Sequence, residues 1–353
     1  MRNRLMEKDK KNKSKLLEVL IRLPLFLLIV GMTAWATAAV HYSNLPTRSL
    51  RMIASGLFPC IVIAILWRVH PFRRAFLFFL IPFGVVLAWW LLIPSSNDRH
   101  WQPDVTVLCH AEINGDTITI HNIRNFDYRS KNNYTPRYYD KTFSLSQLQT
   151  ADLYIVFWGP TLMAHTMMSF GFGDQGYLCI SIETRKEVGE GYSAIKGFFK
   201  QYELIYIVAD ERDLVRLRTN YKNEDVYLYR LKANPHLMQE VFLDYFKPIN
   251  RLAQEPEWYN ALTHNCTTTI RGHTAPYAHG KMSWKFLANG YLDTLLYERK
   301  VIDTSLPFEQ MKAISHINKR AVSVDAEQDF SQRIRQGLPG MEEALYWAPF
   351  KQE

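Results

Sequence analysis

The run LPLFLLIVGMTAWATAAVHYSNLP, residues 23–46, contains no Lys, Arg, Asp or Glu. A helix of about 20 apolar residues crosses the hydrocarbon core of a bilayer, so this run reads as a transmembrane helix. AFLFFLIPFGVVLAWWLLIPSSN (75–97) is likewise uncharged and reads the same way. Between them, MIASGLFPCIVIAILW (52–67) has only 16 residues between Arg51 and Arg68. Flanking arginines snorkel and local bilayer thinning is cheap, so it reads as a third span, with a re-entrant or interfacial segment as the alternative. The chain thus divides into an anchor, residues 1–99, with spans at about 20–42, 50–68 and 75–94, and a domain over 100–353.

The basic residues give the orientation. Seven Lys and Arg lie within the first 15 residues, and Arg22 adds another. The loop after the first span holds only Arg48 and Arg51, and the next holds Arg68, Arg73 and Arg74. The positive-inside rule then predicts a cytoplasmic N-terminus and an exported C-terminal domain, as in a multi-pass protein of a bacterial inner membrane. Ala36-Thr37-Ala38 has the form of a signal-peptide cleavage site. The basic lead is long for a signal peptide and two more spans follow, which favours an uncleaved anchor.

Residues 1–100 carry 14 Lys and Arg against 4 Asp and Glu, whereas the rest of the chain carries 28 against 30. The basic character belongs to the membrane end. The domain itself is slightly acidic, which excludes a nucleic-acid partner on charge grounds. Of the four cysteines, Cys60 lies in a span and Cys109, Cys179 and Cys266 lie in the domain. Cys109 and Cys179 sit in strand-like runs, where they can pair or be buried hydrophobes; Cys266 sits among polar residues.

In the domain, VTVLCHAEINGDTITIHNIRNF reads as a hairpin around Asn114-Gly115. A polar, Tyr-rich segment follows, and Ser144 with Gln147 predicts a capped short helix. Strand-like runs recur at 152–158, 164–170, 177–183, 203–209 and 225–231, and 192–201 looks helical. Asn234 as N-cap with Pro235 opens the clearest helix, which has Met238, Val241, Phe242, Tyr245, Ile249 and Leu252 on one face. A short helix is predicted to start near Asn265 and another to span 306–318. The order of elements predicts an α+β domain with a mainly antiparallel sheet of about five or six strands.

Cys266 is the sharpest candidate for chemistry. A thiol at a helix N-terminus is shifted toward thiolate by unpaired amides and the helix dipole. It needs a base, and His165 in the run AHTMMSF is the candidate, with an ordinary core histidine as the competing reading. Glu183, ending a later strand, can fix the imidazole tautomer if the two strands are neighbours; otherwise it is a surface carboxylate paired with Arg185. Asn265 reads as a helix cap that can also donate to an oxyanion. His264, Cys266, His273 and His279 cluster in sequence, but neither a C-x-x-C pair nor H-E-x-x-H is present, and no metal or cofactor is expected. Gly-rich nucleotide loops and G-x-S-x-G are absent, and Gly171–Gly176 reads as a turn.

The runs IRNFDYRS (123–130), TPRYYDKTF (135–143), AHTMMSFGFGD (164–174), SIETRKE (181–187), FFKQYELIYIVADERD (198–213) and WYNALTHNCTTTI (258–270) resemble the Lnb N-terminal periplasmic domain family over roughly residues 100–340. The resemblance implies a circularly permuted papain-like or NlpC-like fold with histidine before cysteine, and Cys266, His165 and Glu183 as the catalytic set. The Asn-Cys pair is also similar to that of lecithin:retinol acyltransferase, which works through a cysteine thioester. Lnb-type proteins are implicated in N-acylating lipoproteins. The expectation is therefore a membrane-anchored cysteine acyltransferase that moves an acyl chain from phospholipid to an amine, with lipoproteins as acceptors. A cell-wall cysteine peptidase or amidase using the same residues, and a non-enzymatic lipid- or lipoprotein-binding scaffold, stand as alternatives.

Overall fold

The computed structural model describes residues 2–341 apart from 44, 46, 160, 262, 264, 265, 276–282, 287 and 326; side chains are described from Leu20 on, that of Cys266 excepted. The chain forms two compact units, Met1–Ser95 with Ser193–Gln201, and Ser96–Tyr192 with Tyr202–Glu353.

The first unit contains three long helices, α1 (Arg2–His41), α2 (Arg48–Arg68) and α3 (Phe72–Leu92). The stretches Leu20–His41, Arg48–Arg68 and Phe72–Leu92 are each long and apolar enough to cross a membrane, with mean hydropathies of 2.0, 2.0 and 2.4. The middle one reaches 21 residues because the helix runs through both flanking arginines. Ile29 and Ala36 of α1 meet Phe58 and Val62 of α2 and Phe79 of α3 between the helices. Leu27, Ile53, Ile63, Leu77 and Ile81 point outward, as lipid-facing side chains do.

The second unit is built on an eight-stranded sheet. Its strands are β1 (His110–Asn114), β2 (Thr117–Arg124), β5 (Tyr138–Ser144), β6 (Thr150–Phe157), β7 (His165–Gly171), β8 (Tyr177–Arg185), β9 (Glu203–Ala209) and β10 (Asp225–Arg230). The order is β1-β2-β9-β8-β7-β6-β10, with β5 also on β2. All pairs are antiparallel except the single parallel contact of β2 with β9 at Arg124 and Ala209. The domain is thus mixed α/β with a mainly antiparallel sheet, larger than the five or six strands expected. The Tyr-rich segment adds β5 to this sheet and, outside it, a separate two-stranded ribbon of β3 (Asp127–Ser130) and β4 (Asn133–Thr135). Tyrosines that read as polar are here a packing device, since Tyr128, Tyr134 and Tyr138 surround the buried ring of Phe126.

Helices cover both faces of the sheet. On one lie α5 (Pro235–Gln254), α6 (Cys266–Thr274), α7 (Leu292–Glu298) and α8 (Phe308–Ser315), packed over Ile120, Leu153, Met168, Phe170, Ile180 and Tyr206. In α5 the Asn234 side chain accepts from Leu237 N, a cap that stabilises a helix by about 1 kcal/mol, and all six predicted inward residues are buried. On the other face lie α4 (Glu211–Arg216), continuing into a π-helical turn at Leu217–Tyr221, with α9 (Asn318–Ser323) and α10 (Phe330–Arg333). These cover Tyr154, Val156, Met167, Cys179, Ile205 and Ile207.

Three local expectations shift. Ser144 ends β5 and caps nothing; its hydroxyl donates to Asp116, and only a 3-10 turn follows at Leu145–Gln147. The stretch 192–201 holds a 3-10 turn at Lys196–Phe198 rather than a helix. The helix predicted near 306–318 is found as α8 but stops at Ser315, with His316 beyond it in a bridge to Tyr227 before α9 begins. Cys109 and Cys179 are both free and buried, on opposite faces of the sheet. Burial pushes both thiols above the ordinary cysteine range.

Candidate active site

His165 is the first residue of β7 and is nearly buried, 8 % exposed. It stays paired with Val156 of β6. The ladder from β7 to β8 ends at Met167 and Ser181, while β8 continues along β9 as far as Arg185 and Glu203. The two strands therefore part beside His165, and its ring faces Ser181 and Glu183 across the opening.

The contacts there fix the ring. Nε2 lies 2.7 Å from Ser181 Oγ and 3.1 Å from Glu183 Oε1. Ser181 Oγ donates to the same carboxylate oxygen at 2.6 Å. A hydroxyl has one proton, so with it on Glu183 the serine accepts from the imidazole. Nε2 then carries the ring proton, and in the neutral ring Nδ1 carries the lone pair. Arg218, from the π-helical turn, donates to Glu183 Oε1 at 2.7 Å and to Glu224 at 2.8 Å. Burial alone would raise the Glu183 pKa. The imidazole, the guanidinium and the hydrogen bonds overcome that and hold it well below the ordinary carboxylate range. The expected alternative partner, Arg185, is instead occupied with Asn97 and the carbonyls of Val105 and Thr106.

Cys266 begins α6, and its side chain lies outside the described residues, as does Asn265 entirely. The next residue, Thr267, locates the helix start. Its hydroxyl is 3.3 Å from that of Thr166, the residue after His165. Asn289 reinforces this junction, donating to Thr267 Oγ1 at 2.8 Å and to Ala164 O while accepting from Ala164 N at 2.7 Å. One amide side chain thus ties the start of the Cys266 helix to the residue before His165. Successive strand residues point to opposite faces, so Thr166 faces α6 whereas His165 faces the α4 side. The start of α6 is thus tied to the end of β7 that carries His165, with the imidazole turned to the other face of the sheet.

Beneath α6 is a cavity of about 620 Å³. Its walls are mainly apolar, with Leu153, Met168 and Phe170 from the sheet, Val241 and Ile270 from helices and Leu296 opposite; Thr267 lies on its lining. Among the described residues its charged lining is mostly cationic, with Lys232, Arg271, Arg299 and Lys300 against Glu298. Apart from this cavity, the loop leading into β7 exposes Trp158, Leu162 and Met163, with the Trp158 ring edge-on to His165 at 6.4 Å. That loop rests on Gly290, where a Cβ would stand 1.8 Å from Thr161 O. Only glycine allows so close an approach of two backbones.

Of the histidines near Cys266 in sequence, His273 is a helix tie. It is stacked on Tyr245, bonded to Asp244 and to Tyr206, while His264 and His279 lie outside the described residues. Sequence reasoning had no means of finding Arg218 or Asn289, which reach the site only through the fold.

Three apolar helices ahead of a mixed α/β domain with a buried histidine–carboxylate pair on its sheet define a membrane-anchored protein with a folded domain. Residues 134–295, which include His165, Glu183, Arg218, Cys266 and Asn289, match the family model of the Lnb N-terminal periplasmic domain. This is the family that the sequence motifs resemble, and the protein is a membrane protein with a periplasmic domain. No curated protein and no solved structure matches the chain.

Proposed function

We propose that the protein is a thiol acyltransferase of the bacterial inner membrane, with its N-terminus in the cytoplasm and its domain in the periplasm. The nucleophile is Cys266, the base His165 and the orienting carboxylate Glu183, in the order of a permuted papain-like site. The observation that carries this reading is the cavity. It is apolar, large enough for a small ligand, lined by cations, and borders the residue next to Cys266. A cell-wall peptide would call for polar walls; an acyl chain with an anionic headgroup suits these.

With Nε2 held by Glu183 and Ser181, Nδ1 takes the thiol proton. The thiolate adds to the ester carbonyl of a phospholipid, and the tetrahedral adduct expels the glycerol oxygen, which leaves with the proton from His165. An acyl thioester on Cys266 remains. An amine then attacks that thioester, His165 removes its proton, and the thiol is released as the amide forms. Asn265 would donate to the oxyanion in both halves. Glu183 stabilises the imidazolium and keeps the ring oriented, with Arg218 and Ser181 holding Glu183 in turn. The resemblance to Lnb-type proteins makes a lipoprotein N-terminus the expected amine. An apolar cavity suits a lipid donor, since exposing a chain to water costs about 0.8 kcal/mol per CH₂.

The test is mass spectrometry of the full-length protein after incubation with phospholipid vesicles. An acyl adduct on Cys266 is expected, absent in Cys266→Ala, and slower to form in Glu183→Gln than in wild type. Lipid bound in the cavity of wild type without any adduct would make the protein a binder. Altered cell-wall fragments with unchanged lipoprotein N-termini would make it a hydrolase.

A further inference from the structure

The stretch SAIKGFFKQ, residues 193–201, lies between β8 and β9 in the chain, yet it packs with the membrane helices. Its contacts are specific. Phe199, 9 % exposed, stacks on Tyr42 at 5.7 Å and lies 6.5 Å from Trp35, near the end of α1. Lys200 Nζ donates to Leu91 O and Ile93 O at 3.0 and 3.3 Å and sits over the Trp90 ring at 4.8 Å. These are carbonyls at the end of α3, which the helix itself leaves unsatisfied and where its dipole favours a cation. Trp35 and Trp90 are themselves edge to face at 5.3 Å.

The segment is therefore fixed at the level where two spans end among Trp and Tyr side chains, the composition of a membrane–water interface. Its other apolar side chains are not used in this packing. Ile195 and Phe198 are 57 and 42 % exposed, beside the buried Gly197 and Phe199. The segment contains two lysines and no acid. In water, two large exposed apolar side chains beside a packed aromatic are an unused surface. Next to helices whose outward faces are in lipid, they have a solvent that suits them.

We infer that Ser193–Gln201 is an interfacial segment that inserts Ile195 and Phe198 into the outer leaflet, while Lys196 and Lys200 stay at headgroup level. The occupant of this surface is the phospholipid bilayer itself. The inference is independent of any chemistry at Cys266, because it rests on the packing of the segment against the spans. The segment serves as a membrane contact separate from the three spans, supplied by sequence that follows them by about a hundred residues.

The test places a nitroxide at position 198, and separately at 195, through Phe198→Cys and Ile195→Cys in a Cys60→Ser, Cys266→Ser background. The buried thiols of Cys109 and Cys179 escape labelling. Full-length protein is reconstituted into vesicles of phosphatidylethanolamine and phosphatidylglycerol, and collision with dissolved oxygen is compared with collision with a water-soluble nickel chelate. Both labels should favour oxygen severalfold, and a reference label at the exposed Glu112 of β1 should favour nickel. Greater accessibility to nickel than to oxygen at either position overturns the inference. Since both positions are exposed, neither label has a packed neighbour to displace.

Discussion

The two faces of the central sheet are built on opposite principles. The face under α5, α6 and α7 is packed with Leu, Met, Phe and Tyr and encloses the cavity. The face under α4 and α10 buries charges. There Arg124 makes two bonds to Asp213, at 2.9 and 2.7 Å, and Asp213 also accepts from Phe126 N and Tyr128. Arg335 bridges Asp152 and Glu211, while Asp152 also binds Arg230, and Glu211 accepts from Tyr154 and Ser169. Glu183 and Arg218 belong to this face. Buried charges with several partners each are costly to disturb and hold one geometry; apolar walls tolerate change of shape. The difference assigns rigidity to the side that orients His165, and room to the side that would hold a substrate.

The most severe way to break this contrast is Asp213→Ala. It leaves Arg124 charged and buried without its carboxylate, which costs about 3–5 kcal/mol. Denaturant unfolding of the detergent-solubilised protein should show a loss of that size. A loss under about 1 kcal/mol would mean that the network is incidental. On the opposite face, Leu296→Trp fills the cavity and should leave stability within about 1 kcal/mol of wild type. It should slow acyl transfer by about tenfold, equivalent to about 1.4 kcal/mol in the barrier. Undiminished transfer would show that the acyl chain binds elsewhere.

The smallest effect is expected at Glu203, 1 % exposed at the start of β9. Burial pushes its pKa up to about 7, although Arg99 at 2.9 Å and Ser96 N oppose the shift. A carboxyl whose pKa is raised by folding contributes stability that is fully present below the unfolded value. That contribution is lost as pH rises through the folded value. Wild-type stability should therefore decline between about pH 4.5 and 7 through this group. Glu203→Gln, which stays neutral, should remove that part of the slope and gain on the order of 1 kcal/mol above pH 7. An unchanged profile would place the ionised form in the folded protein throughout.

The spans and the helix of Asn234 were legible because each is a local pattern of one period, strong enough to survive any context. The strand cores 152–158, 164–170, 177–183, 203–209 and 225–231 were legible for the same reason, and their ends moved by two residues at most. The Tyr-rich stretch was not, because a tyrosine reads as polar or as a strand former according to neighbours that only the fold supplies. His165 and Glu183 could be singled out as chemically able, but their approach follows from the β7–β8 pairing, whose ladder ends at Met167 and Ser181 just before the two side chains face each other. Arg218 gave no sign at all. It reaches Glu183 from a turn wound one residue wider than an α-helix, where Lys222 N bonds Leu217 O.

The placement of Cys109 and Cys179 on opposite sides of one sheet has a consequence for how the chain must be made. Before the sheet exists nothing separates these two thiols, and an exported chain meets oxidants while still unfolded. A bond between them would have to be undone, because cysteines that point away from each other cannot be bridged without moving the backbone. Sheet formation is thus a race against oxidation. The native protein is the outcome in which burial raised both thiols out of the reactive range first. Refolding should then succeed best with a reductant present early and removed late.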